Sequence, residues 1–524
     1  MTASRRISKK QNGFKAIVFF FFFIFSWNSF AQDGGALEIV GQVIDAKEKT
    51  PVVFATIQFK QNTKGMITDE DGFFRLPKGQ LQTTDTLLIS SIGYQTKEFP
   101  IIQLEDAIIN QIELSPRIEA LEGVVVIGNK KIRISQTGFS IVKKAIARIP
   151  QNYPTIPFSF IGFYRDYLLV QQQYFNLNEA VVEVFDGGFQ TDQLFDTNNQ
   201  TLLRKYKRNT DFPQAKRLAQ SYADEGKYIN NAKISDMGGN ELSILNLHNP
   251  IRNYQRLSFS FINVFQTDFL LNHSFKAQQV TYLNDIPLYE IAFKYFKPGS
   301  NVQYTADGKI YVGLDNYAIH KLEYYLKERN QPKYALRLEY IPKGEHMYLN
   351  YISFNNYFKA EDPDAFDIKE VTLDLDLNAF LVTFTNPVNK NSIEDLKNFR
   401  FLYKKRKLSL AAVTLPQPNM MKVELVKGTI PDEQKSGDEL LKDITYKIKK
   451  VTDVKGRKLG KSKTITANQF RELFVQEVFP KKTLPENTLF LHKTRPLSSA
   501  KGNTTLESDG YWINTPLQSK TYEE

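Results

Sequence analysis

The segments Gly41–Asp45 (GQVID) and Pro51–Ile57 (PVVFATI) decide the fold of the first folded part of the chain. Alternate positions from Val53 to Phe59 are apolar, which places one face of an extended segment in a core. Short strands separated by turn residues are predicted at residues 39–45, 52–59, 72–76 and 86–90. Strands this short, with turns this frequent, are typical of a small β-sandwich.

The composition extends the β interpretation to the whole chain. Its 524 residues exceed the usual length of a chain with a single hydrophobic core, so we expect two to four domains. Aromatic residues make up 13% of the chain, with 40 Phe and 26 Tyr, and such residues favour pleated, half-buried surfaces over helical bundles. A mainly β protein is therefore predicted.

Five motifs follow one another in this first folded part of the chain: Gly41–Asp45 (GQVID), Pro51–Ile57 (PVVFATI), Thr68–Phe74 (TDEDGFF), Ser91–Tyr94 (SIGY) and Leu121–Gly128 (LEGVVVIG). In this order they resemble the carboxypeptidase-like regulatory domain that many Gram-negative outer-membrane proteins carry. The resemblance implies a transthyretin-like, seven-stranded β-sandwich over residues 36–128. Within it, Gly72 suits a hairpin turn that needs a positive φ.

Residues 1–31 have the three parts of a secretory signal. An apolar run at residues 16–25 is too short to cross a bilayer as a helix, and Ala31 ends a small-residue cleavage site. Five basic residues precede or begin that run: Arg5, Arg6, Lys9, Lys10 and Lys15. We expect cleavage before Gln32 and export to the periplasm or the outer membrane.

Charge and cysteine usage narrow the range of partners. The formal charge of +11 falls to +6 when the five cations of residues 1–31 are removed, which does not favour nucleic acid. Cysteine is absent, so the sequence has neither a disulfide framework nor a lipidated N-terminal cysteine. Membrane association would then be peripheral, through an envelope protein or a surface ligand.

Residues 129–366 are predicted to form a central antiparallel β domain with one packed helix. Apolar residues between Ile141 and Ile149 share one stripe of that helix, and Pro150 with Pro154 is expected to end it. We interpret the helix as packed on its own sheet rather than on a membrane. Long alternating segments follow, with turns predicted at residues 284–285, 306–308, 330–332 and 343–344.

A third unit is predicted at residues 367–466. Its motifs are Leu381–Val388, Asn391–Phe399, Met421–Leu425, Tyr446–Ile448 and Val451–Leu459. They resemble a bacterial Ig-like domain, which implies a second β-sandwich that serves as a spacer or an adhesive surface. Residues 467–524 are expected to return to the central domain, with a strand at Phe470–Val478.

The search for chemistry assigns no catalytic, metal or cofactor residue. His320 and Glu323 have the spacing of two zinc ligands, but in a strand their side chains would point to opposite faces. Asp69, Glu70 and Asp71 are interpreted as parts of a hairpin turn rather than of a calcium loop. No serine lies in a Gly-x-Ser-x-Gly elbow.

Three functions are weighed. The preferred one is a noncatalytic binding or scaffold protein of the periplasm or outer membrane. The first alternative is a carrier that holds a hydrophobic or lipid ligand in a half-barrel made by the aromatic segments between Phe158 and Tyr357. The second alternative is an unrecognised hydrolase. A deep apolar cavity would favour the carrier, and a clustered polar site would favour the hydrolase.

The C-terminal segment contains an isolated apolar cluster: Tyr511, Trp512, Ile513 and Leu517. Burying one large side chain is worth about 1.5–3 kcal/mol, so leaving the cluster in water would be costly. We expect it to dock onto the central domain as a clamp. The alternative is an exposed peptide that anchors a partner.

Overall fold

The computed structural model describes residues 38–516. It leaves undescribed residues 62–63, 107, 121–123, 128–129, 134–136, 171–172, 194, 215–227, 230–231, 234–240, 256–264, 266–267, 296–303, 362–364, 431–435, 462–463, 494–496 and 498–509. The signal predicted at residues 1–31 and the apolar residue Leu517 lie outside the described part. The fold is mainly β, as predicted, with a few helices.

The first seven strands form an N-terminal sandwich of two sheets, with strand orders β4-β1-β7 and β3-β2-β5-β6. Strand β1 pairs antiparallel with β4 and parallel with β7. The strands are β1 (Glu38–Asp45), β2 (Thr56–Phe59), β3 (Gly65–Ile67), β4 (Phe73–Pro77), β5 (Thr86–Ser90), β6 (Lys97–Pro100) and β7 (Ile109–Leu114).

Two details of the sandwich test the sequence reasoning. Gly72 has a φ of 74°, which is the left-handed turn conformation that was predicted for it. Val53 was expected to face the core but is 37% exposed. Strand β2 begins only at Thr56, and Phe54 adopts a positive φ of 58°, so the alternation does not extend back through this turn.

The central sheet has eleven strands in the order β13-β12-β11-β29-β21-β20-β19-β18-β17-β16-β8. The C-terminal strand β29 lies between β11 and β21, and β8 joins the N-terminal sandwich to the far edge. The strands are β8 (Ile118–Ala120), β11 (Phe158–Val170), β12 (Gln173–Asp186), β13 (Gln200–Arg208), β16 (His273–Leu283), β17 (Ile286–Tyr295), β18 (Tyr304–Gly313), β19 (Ile319–Glu328), β20 (Gln331–Lys343), β21 (His346–Glu361) and β29 (Thr464–Pro480). Two separate hairpins are β9 (Val124–Ile127) with β10 (Lys130–Arg133) and β14 (Tyr228–Ile229) with β15 (Ala232–Lys233).

One predicted turn in this sheet is wrong. Residues 306–308 lie inside β18, because Gly308 serves close packing rather than a reversal of the chain. A Cβ on Gly308 would lie 1.9 Å from the carbonyl oxygen of Glu323 and 2.5 Å from the ring of Phe293. Phe293 is the cross-strand partner of Gly308, so its ring covers the position that lacks a side chain.

Helices cover the apolar face of the central sheet. The predicted helix exists as α1 (Gly138–Ala147), with Thr137 as its N-cap, and it buries Ile141 and Ile146 against the sheet. Pro150 does not end this helix but starts a second one, because proline is tolerated in the first turn of a helix. The remaining helices are α2 (Ile149–Asn152), α3 (Glu241–Leu247), α4 (Asp268–Asn272) and α5 (Gly437–Leu441), with short 3₁₀ turns at Lys78–Gln80, Ile101–Gln103, Lys390–Ile393 and Leu396–Asn398. Among the described residues, no helix is long and apolar enough to cross a membrane.

The third unit is a second sandwich with its own core. One sheet has the order β22-β23-β27-β26 and the other β25-β24-β28. Rings of Phe380 and Phe401 stack between the two sheets with centroids 4.3 Å apart. The strands are β22 (Ile368–Asp374), β23 (Ala379–Phe384), β24 (Phe399–Tyr403), β25 (Arg406–Lys407), β26 (Leu410–Gln417), β27 (Met420–Leu425) and β28 (Ile444–Ile448).

Candidate functional site

A row of charged side chains crosses the face of the central sheet that lies opposite the helices. Strand alternation produces it: in β19, Leu322 and Tyr324 point to the helices, and Glu323 points to the other face. Each member of the row is the Cα partner of the next, so that charges of opposite sign are neighbours on adjacent strands at most steps. This charged row is Lys207, Glu179, Arg165, Glu472, Ser353, Arg337, Glu323 and Lys309.

The centre of the charged row is an ion pair between Arg165 and Glu472. The Nε of Arg165 lies 2.5 Å from Oε2 of Glu472, and the two side chains are 1% and 0% exposed. Tyr351 donates its hydroxyl proton to the other carboxylate oxygen of Glu472 at 2.9 Å. Burial acts to lower the pKa of Arg165, but Glu472, together with nearby tyrosine and aspartate groups, outweighs it, so the pKa lies above its usual range. The guanidinium therefore stays charged.

The N-terminal sandwich covers this row with the loop that follows β3. Glu70 accepts a hydrogen bond from Nη1 of Arg337 at 3.1 Å. Burial, helped by the nearby Glu472, raises the pKa of Glu70 to about 7. The Glu70 side chain is still 32% exposed, so solvent screens its ion pair with Arg337. The pair therefore contributes less to stability than a fully buried pair with the same pKa shift would.

Asp69 in the same loop has a structural role. Its carboxylate accepts hydrogen bonds from the backbone N–H groups of Asp71 at 3.0 Å and Phe73 at 2.8 Å, which hold a tight turn. The turn was predicted to be a hairpin, but it connects β3 and β4, which lie in different sheets of the sandwich. Burial raises the pKa of Asp69 to about 6. The turn interpretation of this acidic segment therefore applies to Asp69, whereas Glu70 contacts the central sheet, a contact that no local pattern signals.

The C-terminal segment 511–516 fills the space beside this loop. The ring of Trp512 donates its Nε1–H to the sulfur of Met66 at 3.4 Å and lies edge-on to Phe59, both in the N-terminal sandwich. Its backbone bonds instead to Gln476 of the central strand β29, at 3.2 Å and 2.6 Å. Trp512 is 6% exposed.

The neighbours of Trp512 continue the double contact. Tyr511 donates its hydroxyl proton to Glu477 of β29 at 2.5 Å, and its ring lies under the Nζ of Lys64 at 4.7 Å. Ile513 packs on a buried cluster whose rings come from both modules, with Phe54 stacked on Tyr351 at 4.5 Å. We use the name seam for the contact between the charged row, residues 68–71 and residues 511–516.

The structure therefore brings together Tyr511, Trp512 and Ile513 of the four residues singled out in the tail, while Leu517 lies outside the described residues. We expected this segment to dock onto the central domain, and both the backbone of Trp512 and the hydroxyl of Tyr511 bond to strand β29 of that domain. The indole ring was not expected to enter the core of the N-terminal sandwich, where it contacts Met66 and Phe59. The charged row was missed by sequence reasoning, although charged residues alternating with apolar ones in β19, β20 and β29 were its visible signal.

The pair considered for zinc is separated in the structure. His320 is buried in β19, and burial lowers its pKa to about 4, so the imidazole is neutral. Glu323 lies 3.4 Å from Lys321, which also binds Glu339 at 2.9 Å. In the described part of the chain, no three His, Asp or Glu side chains are grouped so that they could hold a metal ion.

Among the pockets of the described residues, two lie near Asp186, and their walls mix polar and apolar side chains. One of about 30 Å³ is lined in part by Asp186, Asn199 and Lys493. The other, of about 200 Å³, includes Arg252, whose guanidinium binds both carboxylate oxygens of Asp186 at 2.7 and 2.9 Å. Typical small-molecule sites measure about 300–1,000 Å³, so both pockets are small.

Comparisons with known proteins identify one module. The model of the family described as CarboxypepD_reg-like domain matches residues 39–126. The TonB-dependent receptor SusC of Bacteroides thetaiotaomicron is 35% identical over 108 residues, which are 21% of this chain and 10% of SusC. The match thus spans about a tenth of that relative's length.

Solved structures give only distant likenesses. A LolA superfamily protein from Nitrosomonas europaea shares 10% identity over 42% of this chain and 86% of its own, with a TM-score of 0.19. A DUF1329 family protein from Desulfovibrio piger shares 12% identity over 42% of this chain and 87% of its own, with a TM-score of 0.23. Scores this low support no conclusion. What the comparisons establish is that residues 39–126 form a CarboxypepD_reg-like domain, the module that the five motifs indicated.

Proposed function

We propose that the chain is an exported, noncatalytic binding or scaffold protein of the bacterial cell envelope. In this proposal the central sheet is a frame, and the sandwiches attached to it present the binding surfaces. The observation that carries the proposal is the seam, in which the charged face of the sheet is covered by the CarboxypepD_reg-like domain and by residues 511–516.

The buried charges of the seam favour a holding role over a catalytic one. Arg165 and Glu472 bind each other, and Nη1 of Arg165 also donates to the carbonyl oxygen of Asn514 at 3.2 Å. Ionised groups removed from water need such partners to offset the cost of desolvation. Because these groups bind each other, they fix the positions of the central sheet, the N-terminal sandwich and residues 511–516 relative to one another.

The opposite face supports the same role. Aromatic rings of the sheet and of α4 pack on one another there, with Phe269 5.0 Å from Phe293 and Phe293 5.6 Å from Tyr324. A sheet whose two faces are both occupied by its own chain is suited to hold other parts in place. The binding surfaces are then expected on the outside of the two sandwiches.

The envelope location is supported from two sides. SusC, which resembles part of this chain, is a TonB-dependent receptor by name. Residues 1–31 have the sequence of a secretory signal. The proposed partner is an envelope protein or a surface ligand, and no nucleic acid or cofactor is part of the proposal.

Cell fractionation tests this proposal. The full chain is produced in a Gram-negative host and crosslinked in intact cells, and the products are identified by mass spectrometry. We expect the chain in the envelope fraction, with Gln32 as its first residue and with crosslinks to another envelope component. A chain that begins at Met1 in the cytoplasmic fraction contradicts export. Stoichiometric lipid extracted from the purified protein by organic solvent would instead support the carrier alternative.

A further inference from the structure

The positive charge of the chain is concentrated in its second sandwich. Residues 367–466 contain 20 Lys and Arg and 13 Asp and Glu, which gives a formal charge of +7. The chain from Gln32 onward carries +6, so the rest of it is close to neutral. A module with the whole net charge of a protein is a candidate for contact with an anionic partner.

Three of these cations, Arg400, Lys407 and Lys447, share the outer face of the three-stranded sheet β25-β24-β28. Phe399, Phe401 and Tyr403 point into the core, and Arg400 points outward between them. The strand register places Lys447 opposite Arg400, and Lys407 opposite Leu402. Among the described residues, no carboxylate forms an ion pair with Arg400, Lys407 or Lys447. We use the name basic face for this surface.

The basic face keeps a contact that opposes folding. Arg400 and Lys447 are direct cross-strand partners, and like charges at such positions destabilise a sheet. In the other sheet, the cross-strand partners of Lys422 are the uncharged residues Leu381 and Thr414, and its Nζ lies 2.8 Å from the carboxylate of Glu424. Lys422 is thus compensated in a way that Arg400 and Lys447 are not.

The hairpin turn at the end of the basic face is unfavourable in a similar way. Lys404 and Lys405 connect β24 to β25 with φ values of 45° and 71°. A turn with two positive φ values favours Asn-Gly, because lysine has a Cβ that this conformation crowds. Lys404 forms a largely exposed ion pair with Asp443 at 3.5 Å, which contributes little, and its Nζ lies 5.4 Å from the ring centroid of Tyr403. Cations therefore occupy two further positions that folding alone does not favour.

We propose that the basic face binds the surface of an anionic phospholipid membrane. This inference rests on the envelope function proposed above and specifies how the protein reaches its surface. Single cations spread over an exposed sheet match many separate headgroup phosphates, whereas a discrete ligand needs groups that converge on a pocket. Arg400 and Lys447 are such single cations: each lies on an open strand face, and among the described residues neither lines a pocket with the other cations of the sheet.

Sedimentation with lipid vesicles tests the proposal on the chain from Gln32 onward. We expect binding to vesicles that contain phosphatidylglycerol and little binding to pure phosphatidylcholine. Raising the salt from about 0.1 M to about 1 M should release the protein, because the Debye length falls from about 10 Å to about 3 Å. Absence of binding to phosphatidylglycerol vesicles overturns the proposal, even if fractionation still places the chain in the envelope.

A matched pair of variants assigns the binding to the basic face. The double variant Arg400→Glu, Lys447→Glu should bind about tenfold more weakly or worse, because each cation near such a surface contributes substantially. The control Lys369→Glu, Lys427→Glu makes the same change in net charge on exposed residues outside the basic face and should bind within about twofold of the parent. Equal losses in both variants would mean that only net charge matters and would overturn the assignment.

The single variant Arg400→Glu separates binding from folding. It replaces a like-charge pair by an opposite-charge pair with Lys447, so the thermal stability should rise or stay equal while vesicle binding falls. A variant that melts earlier and binds normally contradicts the proposal. If soluble polyglutamate displaces the protein from vesicles at matched charge concentration, the partner is an acidic polymer rather than a lipid surface, and the proposal fails.

Discussion

At the scale of single residues, the pair Arg165–Glu472 is the part of the seam most sensitive to the loss of one partner. Its two side chains are sealed from water, so removing one partner leaves a buried charge without compensation. We predict that Glu472→Ala lowers the free energy of unfolding by about 3–5 kcal/mol, measured by urea denaturation. The control Glu98→Ala breaks the exposed pair with Lys60 and should change it by less than about 1 kcal/mol. Equal changes in the free energy of unfolding for the two variants would show that burial does not make the Arg165–Glu472 pair more important than an exposed pair.

The titration of Glu70 gives a second prediction. Its pKa is raised in the folded state from 4.5 to about 7, so the folded protein binds this proton more tightly than the unfolded chain. The associated stability is present below pH 4.5 and is lost as the pH rises to about 7. Besides burial, four charged groups near this carboxyl determine the size of the pKa shift: Arg337, Arg165, Glu472 and Asp71.

The variant Glu70→Gln isolates that contribution. Its free energy of unfolding should fall less than that of the parent between pH 4.5 and pH 7, because the variant has no proton to lose there. Urea denaturation at several pH values measures the difference. Parallel pH profiles for the two proteins would contradict the pKa assigned to Glu70.

At the scale of secondary-structure elements, Gly308 sets how closely β18 and β19 approach. A methyl group there would meet the backbone of Glu323, which cannot move without disturbing the sheet. We predict that Gly308→Ala costs about 1–3 kcal/mol of unfolding free energy in thermal or urea melts. Gly79→Ala is the control, because a Cβ at Gly79 meets no atom within 4 Å. A neutral Gly308→Ala would refute the close approach.

Local sequence patterns predicted elements whose causes are local. The apolar stripe predicted the helix that is found at Gly138–Ala147, and Gly72 predicted the turn that contains it. Gly308 was misassigned because a glycine opposite an aromatic ring and a glycine in a turn look alike until the strand partner is known. The pairing of β8 with the far edge of the central sheet could not be predicted for the same reason. Its partners Ile118 and Thr281 are distant in sequence, so no local pattern shows that they pair.

At the scale of the whole molecule, the seam joins parts that are far apart in the sequence. Glu70 and Arg337 are 267 residues apart, and Met66 and Trp512 are 446 residues apart. The sequence indicated that the apolar tail should be buried, because its aromatic residues needed a partner. It could not indicate which surface receives the indole ring, since that depends on how the sandwich is placed on the sheet. The charged row depends on strand register for the same reason.

The central claim is that residues 511–516 lock the CarboxypepD_reg-like domain onto the central sheet, and the fluorescence of Trp512 tests it most directly. In the chain from Gln32 onward, Trp512 is the only tryptophan, so its emission reports on the seam alone. The isolated native protein should show a blue-shifted emission that iodide quenches poorly, because the ring is buried against Phe59 and Met66. Unfolding in urea should shift the emission to that of tryptophan in water. A water-like, readily quenched emission from the native protein would contradict the docked tail and, with it, the seam.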